Sequence, residues 1–139
     1  MADGAPENRF LKTIKSILVG SNLICTWSLS VVGGSFAAIL STSYLRPEST
    51  YLKSFYLVFI LGWILIATSI YYGINISGRA MAADFYSENN TQLERIFSET
   101  NSDYAKQLKY FKYALLVFGI WLVAYLDWWV FLYVLPKKP

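Results

Sequence analysis

Three stretches of this chain are too long and too free of charge to be ordinary soluble segments. No residue is charged from Ser16 to Leu45 or from Ser54 to Gly78, and from Tyr113 to Pro136 the sole charge is Asp127. A helix needs ~20 apolar residues to cross the ~30 Å hydrocarbon core of a bilayer, so each stretch is long enough to span. Three of them in 139 residues leave little chain for a separate soluble core. Composition agrees, because only 15% of residues are charged and 55% are hydrophobic, whereas about one quarter of a soluble domain is charged. The expected fold is an all-α integral membrane protein with three transmembrane helices, an antiparallel helical hairpin plus a third spanning helix, joined through a short cytoplasmic helical segment.

Local signals set the expected boundaries. Residues 1–9 form a small, polar, Pro-containing arm, and the first spanning helix occupies 10–45. Its 30-residue uncharged run would be about 45 Å long if straight, so it must tilt, bend or project. Arg9, Lys12 and Lys15 before an apolar stretch also fit a signal peptide, but a retained helix is the expectation. RPEST, Arg46 to Thr50, is a turn signal because Pro47 cannot continue a helix interior, giving a hairpin loop over 46–52. The second helix should cover 53–78 and extend through GRAMAADFYSE towards residue 88, where Asn89 and Asn90 break it. Thr91 with Glu94 resembles a capping box and predicts a short helix near 92–99. Asn101 or Ser102 then caps the approach to the third helix, leaving 79–109 as the cytoplasmic connector, 110–135 as the third span and 136–139 as a tail.

Charge distribution orients the chain. Arg9, Lys12, Lys15, Arg79, Arg95, Lys106, Lys109 and Lys112 fall on one side, against Arg46, Lys53, Lys137 and Lys138 on the other. Basic residues favour the cytoplasmic side, which places the N-terminus and the connector in the cytoplasm and the C-terminus outside. With that topology the sequons at Asn75 and Asn89 are silent.

The first helix is the polar one. Ser21, Ser28, Ser35 and Thr42 recur every seven residues, with Cys25, Val32 and Ile39 completing the stripe. A seven-residue repeat keeps a slowly drifting line on one helix face. Beside it, Ser30, Gly34 and Ala38 are four apart, as are Gly33, Ala37 and Ser41. Small residues at that spacing let two helix backbones approach closely in lipid. The face is therefore either a helix–helix seam or, in several copies, the lining of a water-filled path. On the second helix Gly62, Ser69 and Ile76 repeat by seven and Gly73 joins them, marking its contact face. The third helix has no Ser, Thr, Asn or Gln from Tyr113 to Leu135 and is suited to facing lipid.

Within VAYLDWWVF, Val123 to Phe131, Asp127 is an intramembrane acid if the span is Tyr113 to Leu135. It would then lie ~5 Å past the bilayer centre, where a carboxylate costs ~2.5–3.5 kcal/mol on insertion scales. Three readings follow: a hydrogen-bonded or protonated structural acid, an interfacial acid with Trp128 and Trp129 as belt residues, or an ion- or proton-handling group. Partners at the matching depth are Ser35, Ala38, Ser41 and Thr42 on the first helix and Leu61, Gly62 and Trp63 on the second, with Arg46 reaching from the hairpin.

The absence of histidine removes His-ligated haem, the usual zinc sites and any Ser-His or Cys-His nucleophile pair. The single cysteine, Cys25, can form neither an internal disulfide nor a metal cluster. No Gly-rich phosphate loop is present, and a net charge of +3 is too small and dispersed for a nucleic-acid surface. Asp84, Glu88, Glu94, Glu99 and Asp103 alternate with bases and read as a solvated helical face. No cofactor, metal or catalytic residue is expected. The leading functional expectation is a homo-oligomeric pore or channel-like protein with the first helix central and the connector a sensing or partner-binding collar. The rival is a non-catalytic accessory subunit of a larger membrane complex. The partners are accordingly the lipid bilayer and either identical chains or other membrane subunits.

Overall fold

Three helices account for nearly all of the described chain. The computed structural model describes residues 9–40 and 56–131. They form α1 (Arg9–Leu40), α2 (Tyr56–Phe85) and α3 (Asn90–Trp129). All three are long and apolar enough to cross a membrane. Residues 1–8 of the N-terminal arm, Ser41, Thr42, the hairpin loop with Arg46, Lys53 and residues 132–139 lie outside the described residues, as do the side chains of Ala38, Ile39, Trp128 and Trp129.

α1 and α3 run in one direction and α2 in the other, and the most extensive packing is between α2 and α3. Those two are joined by a tight turn, residues 86–89, in which Asn89 N–H donates to Tyr86 O at 2.9 Å. Asn89 caps α3, its side-chain oxygen accepting from Gln92 N–H at 3.1 Å. An Asn in extended conformation is among the best N-caps because its carboxamide satisfies a helix N–H that has no intrahelical partner.

α3 differs from expectation. Instead of a short helix over 92–99 and a new start at Asn101 or Ser102, one helix runs unbroken from Asn90 to Trp129. Tertiary contacts explain the continuity. Thr100 is buried with its hydroxyl on Ile96 O at 2.7 Å, and Asp103 is buried against α2. The expected caps Asn101 and Ser102 are exposed in mid-helix, while Thr100 and Asp103 on either side of them are buried and hold the helix against its neighbours. α2 continues to Phe85, along the extension expected through GRAMAADFYSE, and residues 79–109 are shared between the ends of two long helices and the turn between them.

The bundle has two storeys. At the end holding the α2–α3 turn, Leu11, Ile14, Ala80, Ala83 and Leu93 form a core, with Phe10, Leu18, Ile96 and Phe97 packed against it. Ion pairs surround it: Lys15–Asp84 at 3.7 Å, Arg79–Glu99 at 3.2 Å, Arg95–Glu99 at 3.1 Å and Arg79–Asp103. At the other end the contacts are aromatic. Phe59 meets Trp121 at 4.5 Å and Phe118 at 5.7 Å between ring centroids, and Phe36 stacks on Trp63 at 4.6 Å.

Candidate functional site

The inner face of α1 alternates by three and four: Leu11, Ile14, Leu18, Ser21, Cys25, Ser28, Val32 and Ser35. That 3.5-residue period is the seam of a left-handed helix pair. Its lower half is Leu and Ile, which fill space. Its upper half is mostly Ser, Cys and Val, which leave space for α2 and α3 to lie close. Ser21, Ser28 and Ser35 are all buried inside the single chain.

These serines fall into two kinds. Ser35 is satisfied, accepting from Trp63 Nε1–H at 2.8 Å and donating to Val32 O at 2.7 Å. Ser21 Oγ and Ser28 Oγ are buried with no hydrogen-bond partner among the described residues. Elsewhere in α1, Thr13, Thr26 and Ser30 bond back to the carbonyl four residues earlier, the cheap solution for a hydroxyl on a helix. Ser21 and Ser28 do not.

Ser21 belongs to a polar node that ties all three helices together. Gln107 of α3, fully buried, donates from Nε2 to Ser21 O at 3.3 Å and to Cys25 Sγ at 3.4 Å. Ser69 of α2 donates to the Gln107 backbone carbonyl at 3.0 Å. Gly73 makes the crossing possible, because a Cβ there would lie 2.5 Å from Cys25 Sγ and 2.7 Å from Gln107 Nε2. Gly62 has the same role one storey higher, where a Cβ would lie 2.6 Å from the Phe118 ring. Gln107 Oε1 joins the two serine hydroxyls as a buried oxygen without a partner among the described residues. Gln107 itself was hidden in the sequence among Lys106, Lys109 and Lys112, and only its helical register relative to Ala114 and Phe118 marks it as inward-facing.

The small-residue track points elsewhere. Gly33, Gly34 and Ala37 are exposed, and a Cβ on Gly33 or Gly34 would meet nothing within 4 Å. The serine stripe and the glycine track are thus separated, the first spent inside the chain and the second left on its outside.

Asp127 is also on the outside, and no described side chain bonds to it. Ser35 and Trp63, two of the partners anticipated at its depth, bond to each other instead. Asp127 ends an exposed stripe on α3 that starts at Lys109 and runs through Tyr113, Leu116, Ile120 and Val123. Lys109 and Asp127 are 18 positions apart, which is five helical turns, or about 27 Å. One cation and one carboxylate bracket an apolar face nearly as tall as the ~30 Å hydrocarbon core.

Among the carboxylates expected to be solvated, Asp103 is the exception, with only 6% of its surface exposed and Arg79 as its partner. Asp84, Glu88, Glu94 and Glu99 are exposed. Compared with known protein families, curated proteins and solved structures, the chain matches none.

Proposed function

We propose that the chain is a non-catalytic subunit of a larger membrane assembly, spanning the bilayer three times. The observation that carries this reading is the division of α1. Its serines Ser21, Ser28 and Ser35 are buried inside its own bundle, while Gly33, Gly34 and Ala37 form an uncovered track of the kind through which helices associate in lipid. In this placement Lys109 and Asp127 mark the two boundaries of the membrane, so Asp127 is interfacial and incurs little of the cost of burial in hydrocarbon. The lower storey, with its ion pairs and its α2–α3 turn, projects into the cytoplasm on the side favoured by the basic residues.

The test is Gly34→Leu in the native host. The side chain has open space within the chain, so helix content should be retained while associated polypeptides are lost on extraction. Association unchanged by this substitution would contradict the reading.

A second reading, a pore built from several copies, draws on one observation. Ser21 Oγ, Ser28 Oγ and Gln107 Oε1 are buried oxygens without a partner among the described residues, and such groups are ordinarily satisfied by water. It expects ion flux from purified protein in liposomes, reduced by Ser28→Leu. The subunit reading expects no flux.

A further inference from the structure

Between Asp103 and Asp127, α3 carries Lys106, Lys109 and Lys112 and no acidic residue. Successive lysines three apart turn 60° around the helix, so the three fan across one broad face. All three are exposed. Lys106 is partly engaged, 3.9 Å from Asp103 and 5.5 Å from the centre of the Tyr72 ring. Lys109 lies over Tyr113 at 5.9 Å, and Lys112 forms no ion pair among the described residues. Tyr72 and Tyr110 stack beside them at 5.8 Å. Directly above the lysines the same face becomes Leu116, Ile120 and Val123, all exposed. The face therefore combines a cationic end, tyrosine hydroxyls at the join and an apolar track, which is the chemical profile of an anionic lipid with its headgroup at one end and its acyl chain along the other.

We propose that Lys109 and Lys112, with Tyr113, hold the phosphate of an anionic phospholipid in the cytoplasmic leaflet, its acyl chain lying on Leu116, Ile120 and Val123. Lys106 adds long-range attraction but is shared with Asp103. The site goes beyond subunit assembly and requires only that α3 spans the membrane. Each basic residue near an anionic surface contributes about a fivefold preference, so each of Lys109 and Lys112 raises selectivity for anionic over zwitterionic lipid by about that factor.

The experiment reconstitutes the full chain into vesicles of mixed phosphatidylglycerol and phosphatidylcholine, extracts it gently, and counts the lipids retained by mass spectrometry. Wild type should retain phosphatidylglycerol in excess over its share of the vesicle. Lys109→Gln with Lys112→Gln should abolish that excess, whereas Lys12→Gln with Arg95→Gln, an equal loss of charge lower in the bundle, should keep it. Helix content by circular dichroism confirms folding. Should the double variant lose it, Lys112→Gln alone is expected to lower the excess about fivefold. An excess unchanged by the Lys109 and Lys112 substitutions, or equally lost in the control pair, overturns the site. Displacement by inorganic phosphate at constant ionic strength also overturns it, since the ligand would then be a free anion. Failure of the protein to float with the vesicles is a separate result that contradicts the membrane placement itself.

Discussion

At the scale of single residues, the same residue type has opposite roles on neighbouring helices. Gly73 is where side chains of α1 and α3 rest on the backbone of α2, and Gly33 faces open space. Gly73→Ala should therefore destabilise the bundle by about 1–3 kcal/mol, the usual cost of overfilling a packed site. Gly33→Ala should leave the isolated chain no less stable, because alanine is the better helix former. Graded unfolding of the two variants in mixed detergent micelles reads the contrast directly. Equal losses would place Gly33 in the chain's own packing. The period of seven through Gly62, Ser69 and Ile76 is visible in the sequence because it needs only helix geometry. The division between buried Ser21 and Ser28 and exposed Gly33 and Gly34 is not, since all faces of this stretch are equally free of charge and hydropathy does not separate inside from outside.

At the scale of the helix, charge-free gaps were sufficient to locate three long apolar helices, but alone they understate how far those helices run. α2 and α3 continue well beyond their apolar stretches because Leu93, Ile96 and Phe97 supply an apolar face in the polar region and Arg79 reaches across to Glu99 and Asp103. Local cap signals at Thr91, Asn101 and Ser102 compete with these contacts and lose. Asn101 offers a test whose sign depends on the outcome. It is exposed in mid-helix, so Asn101→Ala should stabilise the chain by about 0.5 kcal/mol through helix propensity. Were Asn101 a cap, the same change would cost about 1 kcal/mol. Asn89→Ala, at the observed cap, should show that loss, and the pair of variants measured side by side in thermal unfolding fixes where α3 begins.

At the scale of the whole molecule, Ser21, Ser28, Ser35, Ser69 and Gln107 are directed into the chain's own seam, whereas Gly33, Gly34, Ala37 and the lysines of α3 lie on the outside of the described bundle. A molecule so arranged stabilises itself first and has only its outer faces left for other chains. Asp127 fits this pattern, as an acid on the outside of the bundle. The absence of histidine and the lone Cys25 gave the sequence its clearest statement about chemistry. The identity of any partner is not legible in the sequence, because an apolar outer helix face carries no charge code for one. The decisive measurement is the native mass and composition of the complex extracted gently from its own host. The expected result is this chain in fixed proportion with other polypeptides. A closed ring of identical chains would restore the pore in its place, and a lone monomer would contradict any role in assembly.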